Sequence, residues 1–392
     1  MKFLGYQREN GSVGIRNKIL VVALSDCCEP IARQIAQVAD DAVAITQHHG
    51  CINDPIVLNT LIGVATNPNI SSVIVIIMGC EGINTSEFIT AVSKSGTPLQ
   101  SIVVQETGGT TKAIKKGCEF VKEFQDIASA QTRVEADLNK LVVGVKCGGS
   151  DATNGIAGNP AVGVASDYLI DAGGVVILSE PIEALGAESY LMDRAINDGV
   201  KKDIKKVIMD EFRRSNVNES MTEVMCKGNY LGGLSSIEEK ALGAVLKSGS
   251  RDILGVLKVN STILEKPENN AGVYFQDGTH VEPMAMTLMA AVGAQLVVYV
   301  SGRGGTLGHA VVPFINVNGN PNTCKTMRDD IDVCAGGIIT GTKSLSSVGE
   351  DIFTKIKQVS NGEITKSEIN GYDNFSVFTR DQRLEDLLGI NS

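Results

Sequence analysis

The sequence contains no tryptophan and only four histidines, at positions 48, 49, 280 and 309, so any imidazole chemistry rests on one of those four. Its nine cysteines include no C-x-x-C pair, the spacing that would mark a metal centre most strongly. No stretch approaches the roughly 20 uninterrupted apolar residues of a membrane span. The opening segment MKFLGYQRENGSVGIRN sets charges where a signal peptide needs an apolar run, so a cytoplasmic protein is expected. Positive charge is scarce as well. With 35 Lys and Arg against 45 Asp and Glu, the net charge of −10 argues against a nucleic-acid partner, and an anionic substrate needs a local basic pocket. Neither a Gly-Lys-Ser/Thr phosphate loop nor the dinucleotide fingerprint is found.

What is present is a chain of 392 residues, 43% hydrophobic and with 42 glycines, long enough for two domains and a substantial core. An odd number of cysteines scattered over such a length reads as thiols or metal ligands rather than as a disulfide framework. From Lys18 to Gln125 the apolar runs KILVVALS, DAVAITQ, SSVIVIIMG and LQSIVVQE each precede a segment of helical spacing. Continuous Val/Ile runs suit strands buried on both faces, so the expected fold class is α/β, with two Rossmann-like, doubly wound domains and mainly parallel sheets. The polar stretch around IASAQTRVEADLN reads as a helix or connector, and LVVGVKC opens a second series of strands. The expected domains are therefore residues 1–135 and 136–392, with residues 344–392 as peripheral helices.

Ligands of parallel sheets bind at the carboxyl ends of the strands. The loops expected there hold Asp26-Cys27-Cys28, His48-His49-Gly50-Cys51, Gly79-Cys80-Glu81 and Gln105-Glu106. The densest stretch is Lys146-Cys147-Gly148-Gly149-Ser150-Asp151, a thiol beside glycines that let backbone approach a ligand. Taken alone it reads equally well as a tight turn beside a buried cysteine. Cys51, Cys80 and Cys147, with His49, are candidate metal ligands, because thiolate and imidazole suit iron, manganese or zinc. Cys27, Cys28, Cys118, Cys226 and Cys324 lack such settings and read as structural. Ser301-Gly302-Arg303-Gly304-Gly305 follows a strand, where a guanidinium among backbone amides can clamp a carboxylate.

In order along the chain, YQRENGSVGIRN, HHGC, GCEG, ETGGT, KCGGSDATNGIAGNPAVG, SEPIEALGAE, GNYLGGLSSIEEKALGAVLKSG, SGRGG and NPNTCKTMRDDIDVCAGG resemble the altronate and galactarate dehydratase family and its sulfolactate sulfo-lyase relatives. The resemblance implies a lyase that eliminates water or sulfite beta to the carboxylate of a sugar acid or of sulfolactate. It also implies Fe²⁺ or a similar divalent metal such as Mn²⁺, and three cysteines gathered at one crevice give an iron–sulfur cluster as the alternative. Dimerisation of this chain and a separate small subunit carrying a β-clip (SAF) domain follow from it too. In that frame Arg303, Gly148, Gly149, Ser150 and Gly304 bind substrate, Asp151 and Glu180 orient ligands or hydroxyls, and His309 or Lys146 moves protons. His309, in SGRGGTLGHAVVP, is a point where the family residue is not assumed. Two competing expectations are a non-catalytic scaffold subunit and a redox thiol protein.

Overall fold

The computed structural model describes residues 1–214, 225–258 and 271–380. Its strands are β1 (Lys2–Gln7), β2 (Val13–Gly14), β3 (Lys18–Ala23), β4 (Ala42–Thr46), β5 (Ile70–Ile77), β6 (Leu99–Val103), β7 (Val134–Asp137), β8 (Val142–Cys147), β9 (Val175–Leu178), β10 (Ile253–Leu257), β11 (Gly272–Gln276), β12 (Leu296–Ser301), β13 (Phe314–Asn318) and β14 (Val333–Cys334). The Val/Ile runs form the two parallel sheets expected of an α/β fold. One sheet has the order β4-β3-β5-β6, and the other has the order β10-β11-β9-β8-β12-β13-β14. β5 and β8 are buried at every position, as strands covered by helices on both faces must be.

In each sheet two neighbouring central strands send the chain away in opposite directions. The reversal falls between β3 and β5 in the smaller sheet and between β8 and β12 in the larger. At such points two neighbouring strand-end loops diverge to opposite faces and leave a crevice.

The sheets are locked together by the helices Pro55–Ala65 and Glu282–Ala291. Gly63 sits so close to the Ala291 carbonyl that a methyl there would overlap it, which brings the carboxyl ends of the two helices together. Near their amino ends Ile56 and Met284 both pack on the Leu288–Phe378 pair. The helices therefore run parallel, and the carboxyl edges of both sheets open toward the same end of the molecule.

The structure corrects the sequence reading in three places. The connector around Arg133 holds β7, which pairs antiparallel with β1, and Phe3, Val13 and Ile15 join the core of the larger sheet. The tail is not peripheral, because the helix Leu345–Ser360 buries Val348, Ile352, Phe353, Ile356 and Val359. Beyond it Val377 and Phe378 are buried, and His49 Nε2 meets the Val377 carbonyl at 2.8 Å. Finally, Cys324 and Cys334 form a disulfide with Cα atoms 5.9 Å apart. The helix Pro321–Thr326 folds back after β13 and brings Cys324 beside the edge strand β14, a proximity that a separation of ten residues does not announce.

Candidate active site

At the reversal point of the larger sheet, the loop after β8 and the loop after β12 are stitched backbone to backbone. Gly148 N–H donates to Val300 O at 2.8 Å, while Gly302 and Arg303 N–H both donate to Gly149 O at 3.1 Å. Gly148 abuts the Tyr299 hydroxyl, and Gly302 abuts the Asp151 carboxylate. A side chain at either position would overlap these groups, so glycine is required by close approach. Asp151 is buried and spends its carboxylate on Thr153 N, Asn154 N and Asn320 Nδ2, the last at 2.9 Å. Its place is to order the loop. Ser150 Oγ donates to Gly148 O at 3.0 Å, and Asn229 Nδ2 donates to Ser150 O.

Arg303 is the exposed cation of this crevice, lying along Gly149 and within 3.6 Å of where a side chain on Gly228 would be. Among the described residues no hydrogen bond or ion pair engages its guanidinium. Gly304 takes φ +83° and packs against Met327, which sets the turn that aims Arg303 outward.

Beneath the crevice is a buried ionic cluster. Glu180 stands at the end of β9 with φ 75°, the one non-glycine residue with positive φ among the described residues. Holding a non-glycine residue there costs on the order of 1 kcal/mol, and such outliers gather at functional sites. Its carboxylate ion-pairs with Lys146, accepts from Cys147 N at 3.0 Å and lies 3.4 Å from Lys247 Nζ. Lys247 Nζ also lies 3.0 Å from Cys147 Sγ, and Lys240 pairs with Glu183 at 2.9 Å. Burial raises the Glu180 pKa, and the neighbouring Glu183 adds to the rise. Glu183 goes the other way. Burial pushes its pKa up, but Lys240, Lys146 and Lys247 outweigh that and hold it at about 2.

Donor atoms of Cys147, Glu180 and Glu183 lie within 4.8 Å of one another, a spacing a metal could use. The chemistry of the cluster fits a metal poorly. Three ammonium groups already occupy its carboxylates, and burial pushes the Cys147 thiol up to about 12, so it stays protonated and donates to Asn159 Oδ1 at 3.3 Å. Lys146, donating to its own Cys147 carbonyl at 2.6 Å as well as to Glu180, is pinned away from the crevice. His309 is buried too. Its Nδ1 accepts from Val311 N at 3.2 Å, its Nε2 faces Thr287 Oγ1 at 3.3 Å, and its ring packs at a tilt against Phe375. Desolvation lowers its pKa to about 3, so the ring is neutral and part of the core.

Cys51 and Cys80 sit elsewhere, at the reversal point of the smaller sheet, and Cys27 is with them. Cys27 follows β3, Cys51 follows β4 and Cys80 follows β5, and all three are exposed free thiols. The Cys51 carbonyl rests directly on Gly82, where a methyl would overlap it. Gln47 Nε2 ties Gly50 O, at 2.9 Å, to Leu24 O at the end of β3. Glu81 folds back to accept from the backbone N–H groups of Met78, Gly79 and Cys80, and its Oε1 lies 3.3 Å from Ser25 Oγ, itself 3.3 Å from Cys27 Sγ. The Cys80 thiol is held above its ordinary pKa by desolvation, then by Glu81 and by the thiols of Cys51 and Cys27. His49 is turned aside by its bond to Val377, while His48 Nδ1 faces Asp26 at 3.7 Å. Among the described residues no group of three ligand atoms joins Cys147 to Cys51 and Cys80.

Residues 138–382 match the domain family "D-galactarate/Altronate dehydratase, C-terminal", and residues 5–129 match "D-galactarate dehydratase/Altronate hydrolase, second domain". The chain belongs to the D-galactarate/altronate dehydratase family. It is 32% identical to the (2R)-sulfolactate sulfo-lyase subunit beta of Chromohalobacter salexigens, over 96% of this chain and 97% of the relative. It is 29% identical to the altronate dehydratase of Bacillus subtilis, over 96% of this chain and 77% of the relative. It is also 29% identical to the galactarate dehydratase (L-threo-forming) of Escherichia coli, over 92% and 73%. As a member of this family the chain is a lyase of the hydro-lyase or carbon–sulfur class.

Within this family member, sequence reasoning passed over four residues of the two clusters. Lys240, Lys247 and Glu183 announce themselves only as charges inside the apolar runs SSIEEKALGAVLKSG and EPIEALG. Cys27 lay at a strand-end loop, but which loops adjoin depends on β3 lying between β4 and β5.

Proposed function

We propose that this chain eliminates water or sulfite beta to the carboxylate of a small hydroxy acid, of the sugar-acid or sulfolactate type, and yields a 2-keto acid. The proton on C2 leaves to a base, the C3–O or C3–S bond breaks, and the resulting enol takes a solvent proton at C3. The observation that carries the reading is Arg303, an exposed guanidinium without a described partner at the reversal point of the larger sheet. Fixed by Gly149 and Gly304, it meets a carboxylate with two parallel N–H groups. The loop glycines let the bound acid lie against backbone, and the Asp151 network holds their shape.

A proton beside a carboxylate is weakly acidic, and a Lewis-acidic metal centre supplies the charge that stabilises the enediolate. The family comparison supports elimination, and dependence on a metal is part of the proposal. A separate small partner chain is part of it as well, supported by the relative named as a subunit beta.

Arg303→Ala tests the reading. Loss of a charge-assisted pair to the carboxylate, about 1.5–3 kcal/mol, lowers kcat/KM by about 10- to 100-fold, mainly through KM, with an unchanged melting temperature. Retention of wild-type KM for every acid turned over contradicts the assignment.

A further inference from the structure

We infer that Gly228 is a specificity-determining residue of the crevice: by carrying no side chain it keeps the Nε edge of the Arg303 guanidinium open, and a bound acid sets its carboxylate there. The inference rests on the proposed lyase reading for the identity of the acid. For the place it rests on the geometry of the crevice.

Most glycines around Arg303 are explained by the fold. Side chains at Gly148 and Gly305 would overlap the Tyr299 hydroxyl, and side chains at Gly302 and Gly232 would overlap Asp151. Gly304 and Gly233 take φ +83° and +91°, where other residues are strained. Gly228 has neither reason. It lies half-buried in the short helix Lys227–Leu231, and its φ is outside the left-handed region. A methyl there would meet Cys226 Sγ at 3.5 Å and the Nε and Cδ of Arg303 at 3.6 and 3.7 Å, contacts that overlap nothing. A helix is firmer with alanine than with glycine, which gives up more backbone freedom, so the fold alone favours a side chain at this position. What the glycine provides instead is space beside the guanidinium.

That space adjoins the working end of Arg303. Gly149, the other crevice glycine that would accept a methyl, lies against Arg303 Cβ and Gly304 O, both at 3.5 Å, at the root of the side chain. A carboxylate that pairs with Nε–H and one Nη–H brings an oxygen to about 2.9 Å from Nε. A methyl 3.6 Å from the same nitrogen crowds that edge, and a longer side chain covers it. The wall that carries Gly228 is fastened and does not yield. Buried Asn229 accepts from Cys226 N at 3.0 Å and donates to Ser150 O at 3.0 Å, and Ala152 N donates to Gly232 O at 3.0 Å. The helix is thus tied to the loop after β8 on both sides of Gly228.

The test compares the full chain in wild-type, Gly228→Ala and Gly228→Leu forms by two readouts. The first needs no turnover: phenylglyoxal labelling of Arg303 is followed by peptide mass spectrometry with altronate, galactarate or sulfolactate as the protecting acid. At least one acid protects Arg303 in the wild type, the concentration that halves labelling rises about tenfold in Gly228→Ala, and protection is lost in Gly228→Leu. The second readout is steady-state kinetics of the chain loaded with ferrous iron without oxygen, alone and with the proposed partner chain. For an acid that is turned over, Gly228→Ala raises KM about tenfold and leaves kcat unchanged. The melting temperature of Gly228→Ala equals or exceeds that of the wild type. Arg303 protected by none of the acids, or protected equally in wild type and Gly228→Leu, overturns the inference. A lowered melting temperature in Gly228→Ala also overturns it, because the fold would then require the glycine. Turnover with wild-type KM in both variants overturns the inference and leaves the lyase reading standing. Protection that is lost in Gly228→Leu, in a chain that turns over no acid, overturns the lyase reading alone.

Discussion

His309 shows how a single side chain can be placed by chemistry that its sequence context hides. A histidine a few residues beyond Arg303 invites a catalytic role, yet the fold turns it inward onto Phe375 and Thr287. Folded, it stays neutral down to about pH 3, whereas unfolded it binds a proton near pH 6.5. Between those values the unfolded chain holds more protons, so this contribution is complete above about pH 6.5 and is lost as the pH falls through that window. The slope is at most about 1.4 kcal/mol per pH unit. Urea titrations from pH 7 to pH 4 should show this slope in the native protein and a shallower one in His309→Gln. Equal slopes in the two would place His309 in contact with water. Lys146, Lys247 and Glu180 illustrate the same lesson with charges: each looks free in the sequence, and each is consumed by the others in the fold.

At the scale of elements, the parallel strands were legible because Val/Ile runs have one reading when buried on both faces. The loops that follow them were legible as loops at the carboxyl ends of parallel strands for the same reason. What stayed hidden were the neighbours across space. β7 could not be seen in the polar stretch TRVEAD because its partner β1 lies more than a hundred residues away, and the ladder supplies what the residues' own preference does not. Likewise Cys51 and Cys80 follow strands of the smaller sheet, as Cys27 does, while Cys147 follows a strand of the larger one, a division the residues alone do not announce because strand order is a property of the whole sheet.

The final segment makes the point energetically. Phe378 is buried against Leu288, and Thr379 hydrogen-bonds Asp54 at the start of the helix that locks the two sheets. Phe378→Ala should therefore destabilise the protein by about 3–5 kcal/mol, the usual cost of deleting a buried phenyl ring. A change below 1 kcal/mol in equilibrium unfolding would show the tail to be the decoration that its composition suggested.

At the scale of the molecule, two sheets with their carboxyl edges turned one way present Arg303 and the cysteines that follow β3, β4 and β5 on a common side, and under a net charge of −10 an anion would need a local cation such as Arg303. No helix among the described residues is long and apolar enough to cross a membrane. The central claim is elimination beta to a carboxylate, and the fate of hydrogen tests it most directly. The chain, loaded with ferrous iron without oxygen and tested alone and with the proposed partner chain, is incubated in deuterated water with altronate, galactarate and sulfolactate, and the products are followed by NMR and sulfite release. The account predicts a 2-keto acid with one deuterium at C3, the carbon that lost hydroxide or sulfite. A keto acid that keeps its leaving group, or three acids recovered unchanged from a folded and loaded protein, would contradict it.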